Sequence, residues 1–274
     1  MSDVTLRRVS AIGDVVWTTA LFTALESRAK DQGGGLYLST SAPHDLFRGD
    51  SRLAGVIGKD AVRGELIDLT DTYEQNPNLH PIRAYALRAK VDESQLVPTR
   101  LELGAAPERV KNKVYIHPAI SWANRTFPHA FWLSIIGRIA VSGLSVEIIG
   151  TQNETKDFVG LKTHFGTLPM LARLIRDGVF IGSDSGPLQI AAALDVPSIG
   201  IYTCAEARFR APLHLPKTSM FVSVDTAAQC RGCLHRAKPP VRFYDCDYID
   251  SRKYRCLSEV DPAAIADLAA MLAK

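Results

Sequence analysis

Residues 179–194 read VFIGSDSGPLQIAAAL. The apolar run at 179–181 predicts a strand, and Pro187 at the head of an alanine-rich run predicts a helix over 187–194. Between them Ser183, Asp184, Ser185 and Gly186 form a short turn after the strand. Two hydroxyls, a carboxylate and a glycine at a helix N-terminus can hold sugar hydroxyls and a phosphate together, because free N–H groups and the helix dipole favour an anion. The same residues also read as a well-capped helix in a tight turn.

This strand–turn–helix unit recurs in both directions along the chain. Apolar patterning predicts strands at 6–11, 36–39 and 66–69, and helices at 15–29 and 80–90. A polar stretch with Pro98, Gly104 and Pro107 reads as a linker. A second series follows, with strands at 114–117, 145–149, 179–181, 198–201 and 220–224 and helices at 128–141, 168–176 and 187–194. Asp261-Pro262 opens a last helix that runs to residue 272, an N-cap acid followed by proline at the first helical position. Alternating strands and helices imply α/β architecture with parallel, doubly wound sheets. Two series split by a linker imply two domains facing a cleft: 1–105, 106–260, and a C-terminal helix at 261–274. Ligands of open α/β sheets bind beyond the carboxyl ends of the strands.

The 274 residues suffice for a large core, and 46% hydrophobic with 22% charged composition excludes a disordered or collagen-like chain. The net charge of +3 is too small for a general nucleic-acid-binding field. No apolar run reaches the ~18 residues of a membrane span. Arg7-Arg8 before an apolar stretch imitates a signal peptide, but Asp14 interrupts it and no small-residue cleavage site follows. The expectation is a cytoplasmic protein, with peripheral attachment at the inner membrane compatible.

Two further loops carry candidate chemistry. In AIGDVVWTT, residues 11–19, Gly13 makes a turn and Asp14 stands at a helix start, as a helix cap or as a reactive carboxylate. In PAISWANRTFP, residues 118–128, Ser121, Asn124, Arg125 and Thr126 follow a strand, and Arg125 could offset the charge of a departing diphosphate without a metal. Trp122 lies in the same loop and could stack on a base or a sugar face, whereas Trp17 and Trp132 read as core.

In order and spacing these segments resemble glycosyltransferase family 9, the heptosyltransferase family. The matching residues are Ser10, Gly13, Asp14 and Val15; Arg125-Thr126-Phe127-Pro128; Gly150 with Glu154; and Asp184 through Gln189. The stretch 67–86 also looks like a segment of one branch. The resemblance implies a GT-B fold of two Rossmann-like domains. It also implies inverting transfer from a nucleotide sugar, typically ADP-heptose, to an acceptor hydroxyl, with no catalytic metal. It makes Asp14 the general base and puts Arg125 where the family has a Lys that neutralises the diphosphate. Donor binding then falls to Gly13, Ser121, Asn124, Thr126, Gly150, Glu154, Ser183, Asp184, Ser185, Gly186, Pro187 and Gln189. Departures from the family pattern are Arg125 for Lys, Gln189 for His, TCAEARFRAP in place of a Gly-Pro-Thr turn, and a shorter N-terminal half. The acceptor stays open among a glycan, a lipid-linked saccharide, a protein and a nucleobase.

Cys230, Cys233, Cys246 and Cys256 form a C-x2-C-x12-C-x9-C pattern. Four thiolates suit a structural zinc or iron site, with free thiols or disulfides as the alternative. Cys204 reads as a buried or loop thiol, and the other histidines as packed or capping residues. Segment 229–256 holds seven Lys/Arg against three acids, and with its aromatic residues it suits an anionic acceptor, an oligomer contact or nucleic acid. Two alternatives to the enzyme therefore stand: a non-catalytic nucleotide- or glycan-binding relative, and a metal-finger nucleic-acid-binding protein.

Overall fold

The computed structural model describes residues 2–118, 122–213, 215, 219–236, 238, 246, 248, 250, 251 and 253–274. The chain opens with β1 (Val4–Arg7), α1 (Ile12–Thr18), α2 (Phe22–Asp31), β2 (Leu36–Thr40), β3 (Gly55–Gly58), β4 (Glu65–Asp68) and α3 (Pro81–Ala89). These strands form a parallel sheet in the order β3-β2-β1-β4. The second series runs β5 (Lys113–His117), α4 (His129–Val141), β6 (Ser145–Gly150), α5 (Gln152–Thr155), β7 (Lys162–Phe165), α6 (Leu168–Leu174) and β8 (Val179–Ser183). It continues through α7 (Gly186–Ala193), β9 (Ser198–Tyr202), α8 (Ala207–Arg210), β10 (Phe221–Asp225), α9 (Arg255–Ser258) and α10 (Pro262–Leu272). Its sheet is parallel throughout, in the order β10-β9-β8-β5-β6-β7. In each sheet the strand order reverses beside the first strand of the series, at β1/β4 and at β5/β8. Those switch points are where such sheets bind ligands.

Central strands are buried on both faces, which is why β8 and β9 are buried at every position and lack polar alternation. Edge strands carry a weaker signal. β3 and β7 are half-exposed and hold few apolar residues, so their sequences do not announce them. The second sheet has one apolar cluster on each face: Trp132, Ile135 and Ile139 with Ile265 and Ala269 on one side, and Leu171, Ile175 and Leu188 on the other. The first core does not stop at its own sheet. It includes Ala172, Ile190 and Ala193 of the second series.

Three local departures from the sequence expectation have physical causes. The helix expected over 15–29 is broken by a 3-10 turn at Thr19–Leu21, where Thr18 and Thr19 hydroxyls donate to the Val15 and Val16 carbonyls at 2.7 and 2.8 Å. The strand expected over 6–11 ends at Arg7, and the chain turns through Ala11 at φ 60° into α1. The linker is a packed strap: Arg100 N–H donates to Thr19 Oγ1 at 3.0 Å and Leu101 N–H to the Ala193 carbonyl at 2.9 Å, with Leu96 and Leu101 buried.

Candidate active site

The left-handed turn at Ala11 leaves the first turn of α1 without a side-chain cap, and the Ala11 carbonyl accepts from the Asp14 and Val15 N–H groups instead. Asp14 is therefore not the helix cap that its position suggested. Its carboxylate is buried and paired with Arg8, and it accepts from the Tyr73 hydroxyl at 3.3 Å. Arg8 also donates to Glu74 Oε1 at 2.7 Å and to the Leu69 carbonyl at 3.0 Å. Its guanidinium faces the Tyr73 and Tyr85 rings, 5.2 and 5.8 Å from their centroids. Burial pushes the Asp14 carboxyl above its ordinary pKa, and the opposing pull of Arg8 and Arg210 does not reverse the shift. A buried carboxylate with a raised pKa is better suited to accept a proton than a solvated one.

Opposite Asp14 stands the turn between β8 and α7. Gly13 and Gly186 bring the two helix starts together: a Cβ on Gly13 would lie 3.3 Å from the Gly186 Cα, and one on Gly186 would strike the Ile12 side chain. Trp17 Nε1 donates to Gln189 Oε1 at 3.0 Å, and Gln189 Nε2 donates to the Arg210 carbonyl at 3.1 Å. Arg125 Nη1 donates to the Asp184 carbonyl at 2.6 Å and to its Oδ2 at 3.0 Å, while the guanidinium lies 4.3 Å from the Trp122 ring centroid. The Ser183 and Ser185 hydroxyls and the Asn124 amide are buried without a partner among the described residues. Unsatisfied buried polar atoms of this kind suit a polyhydroxylated ligand.

These groups surround one cavity of about 480 Å³. Of the sequence-predicted residues, Gly13, Asp14, Arg125, Gly150, Glu154, Asp184, Ser185, Gly186, Pro187 and Gln189 line it. Ser183 and Asn124 lie just behind the wall, and Thr126 is exposed with its hydroxyl on the Trp122 carbonyl at 2.8 Å. Ser121 lies outside the described residues. Glu154 has a second duty, since it forms a capping box with Thr151 at the start of α5. Leu168, Leu171, Ala172 and Ile175 give the cavity an apolar end.

Sequence reasoning missed Arg8, Tyr73, Glu74, His117 and Arg210. His117 lines the cavity with Nδ1 unpartnered, and burial drives its pKa down to about 4 against the pull of Glu154, so it is neutral near pH 7. Arg210 lies 4.5 Å from the Tyr73 ring centroid and 5.5 Å from that of Trp17. Trp17, expected as pure core, is on the cavity wall, whereas Trp132 is core.

The five cysteines, all among the described residues, form no disulfide, which removes that alternative. Among the described residues no group of His, Cys, Asp or Glu stands ready to hold a metal ion, so the expected metal-bearing cysteine segment has no support from the coordinates. Burial lifts the Cys204 thiol to about 12. His235, in the same region, bridges the halves: its Nδ1 lies 2.7 Å from the Pro77 carbonyl and its Nε2 accepts from the Glu206 N–H at 3.0 Å. No described helix is long and apolar enough to cross a membrane.

Residues 80–239, more than half of the chain, match the family model for glycosyltransferase family 9 (heptosyltransferase). No protein of curated function matches the sequence. Among solved structures, the iron-containing dodecameric heptosyltransferase TibC in complex with ADP-D-beta-D-heptose shares the fold with a TM-score of 0.75. It is 18% identical over 99% of this chain and 77% of TibC, a protein of enterotoxigenic E. coli. A family 9 glycosyl transferase from Veillonella parvula gives 0.73 at 12% identity, over 99% of this chain and 97% of that one. E. coli ADP-heptose lps heptosyltransferase II gives 0.61 at 12% identity, over 100% and 98%. The chain thus has parallel α/β architecture of the GT-B heptosyltransferase kind, and it belongs to glycosyltransferase family 9.

Proposed function

We propose that this glycosyltransferase moves a heptosyl group from ADP-heptose to an acceptor hydroxyl with inversion, using Asp14 as general base. The observation that carries the reading is the placement of Asp14. It is a buried carboxylate with a raised pKa, facing the Asp184–Gly186 turn across one cavity. The acceptor O–H attacks the anomeric carbon from the face opposite the diphosphate. The new C–O bond forms as the C–O bond to the β-phosphate breaks, the proton passes to Asp14, and the electron pair leaves on the diphosphate. A positioned base contributes roughly 10²–10⁴-fold.

Arg125, already fixed against Asp184 and Trp122, faces the leaving diphosphate, whose growing charge a preorganised cation stabilises. The unpartnered hydroxyl of Ser185, on the cavity wall, suits a sugar or ribose hydroxyl. The apolar end at Leu168, Leu171 and Ile175 suits a flat base, with Gly150 and Glu154 at its edge. ADP-heptose is the ligand held in TibC.

We infer a structural zinc or iron from the C-x2-C-x12-C-x9-C spacing alone, since the described residues do not gather the four sulfurs into a site. Burial, and after it the nearby Cys230, Cys233 and Cys246 sulfurs, push the Cys256 thiol up to about 12. A divalent cation reverses such a shift, because the thiolate is the ligand. Cys230, Cys233, Cys246 and Cys256 would hold the ion, whose contribution is a cross-link beside the cleft. TibC is iron-containing and dodecameric, and self-association is part of this reading.

Incubation with a panel of nucleotide sugars tests the assignment. ADP-heptose is expected to raise the melting temperature and to be slowly hydrolysed to ADP; no stabilisation by any nucleotide sugar refutes it.

A further inference from the structure

The buried charges of the cleft are unevenly matched. Arg8 holds both Asp14 and Glu74, and Arg125 holds Asp184. Arg210, also on the cavity wall, is 7% exposed. Among the described residues no carboxylate pairs with it directly, and its Nε has no partner. Its face lies against the Tyr73 and Trp17 rings, and a side-chain hydrogen bond to Tyr73 joins it to the first half of the chain. Burial works against its charge, yet Tyr73, Asp184 and Asp14 outweigh burial and hold its pKa above the ordinary value.

Arg210 is also held rigidly. The N–H of Ala207, at the start of α8, donates to Asp225 Oδ1 at 2.9 Å. The Arg210 carbonyl accepts from Gln189 Nε2 at 3.1 Å, and the Ala211 carbonyl lies 2.8 Å from His80 Nε2. Three elements thus fix the backbone that carries a charged fork into the gap between the two aspartates. Arg125 shares its charge with Asp184, so a diphosphate in the cavity calls for a second cation, and a guanidinium can meet two phosphate oxygens at once.

We propose that Arg210 binds the diphosphate of the nucleotide sugar and receives the charge that develops there as the sugar departs. The proposal rests on the donor reading above and adds a residue that replaces the family's turn after β9. No proton moves through Arg210: the C–O bond breaks, its electron pair stays on the β-phosphate oxygen, and the guanidinium hydrogen-bonds to that oxygen.

Calorimetric titration of wild type, Arg210→Gln and Arg210→Lys with ADP, adenosine and inorganic pyrophosphate tests it. Arg210→Gln is expected to lose at least about tenfold in ADP affinity, the scale of a lost charged hydrogen bond, with adenosine affinity held and the ligand-free melting temperature within a few degrees of wild type. Unchanged ADP affinity overturns the proposal, including the case in which only the KM of an anionic acceptor rises. Equal losses for ADP and adenosine also overturn it, because they mark a structural role. If Arg210→Gln fails to fold, Arg210→Lys carries the same comparison. Wild type that binds neither ADP nor pyrophosphate defeats the donor reading itself, whereas wild-type binding insensitive to Arg210 defeats only this inference.

Discussion

Glu74 and Asp14 share one guanidinium: Arg8 Nη2 pairs with Asp14 and lies 2.7 Å from Glu74 Oε1. The second carboxylate competes for the cation that would otherwise be given wholly to Asp14, and its own negative charge raises the Asp14 pKa. Glu74→Gln should therefore lower that pKa and move the acid limb of the kcat–pH profile to lower pH. Arg8→Met should move the limb up, because Arg8 lowers the Asp14 pKa. It should also destabilise the fold by about 3–5 kcal/mol by leaving buried carboxylates unpaired. Profiles that do not move in opposite directions refute the arrangement.

Asp14→Asn keeps the size of the side chain and removes the base. Turnover is expected to fall by about 10²–10⁴-fold while ADP affinity stays within about threefold of wild type. Single-turnover assays read the first quantity and calorimetry the second; full turnover removes Asp14 from the role.

At the contact between α1 and α7, Gly186→Ala places a methyl group where Ile12 already stands. Overpacking of this kind costs about 1–3 kcal/mol, and relief requires the two helix starts to separate. Denaturant unfolding should register the loss. Activity should fall by more than stability alone explains, since the helix starts carry Asp14 and the Ser185 turn. Gly13→Ala meets the Gly186 Cα at 3.3 Å and should be the milder of the two.

The frame of this site was legible in sequence because it is local. A strand that leads through a short turn into Gly13-Asp14 at the head of α1, and one that runs into Ser-Asp-Ser-Gly before Pro187, each write their geometry within a dozen residues. The missed residues act through distance. Arg8 reads as half of a basic pair flanking an apolar run, and beside its pairing with Asp14 the return of the chain through Leu69–Glu74 gives it its other partners. Arg210 sits in a four-residue helix with no motif, and its meaning comes from Tyr73 and Trp17 of the other half. Gln189, expected as a donor-binding residue in place of the family's His, is the clasp between Trp17 and Arg210.

Acid should weaken the protein through two buried imidazoles. Burial holds His117 and His235 at about 4, below the ordinary 6.5. The unfolded chain therefore takes up protons first. The stability contributed by keeping these rings neutral is complete above pH 6.5 and is lost as pH falls toward 4. At about 1.4 kcal/mol per pKa unit, each ring withdraws up to about 3 kcal/mol. His235→Asn should flatten the decline in melting temperature between pH 6.5 and 4; an equally steep decline refutes the assignment.

Metal analysis of purified protein is expected to find about one zinc or iron per chain, and Cys256→Ser should lose it together with several degrees of melting temperature. Wild-type protein free of both metals, and indifferent to chelator, refutes the thiolate site.

Because Ala172, Ile190 and Ala193 are built into the apolar cluster of the opposite half, the first half does not own a finished interior. Severed near residue 105, the first fragment would bare greasy surface where those three side chains sat. Swapping one half between relatives to change acceptor choice would have to carry those three positions along with it.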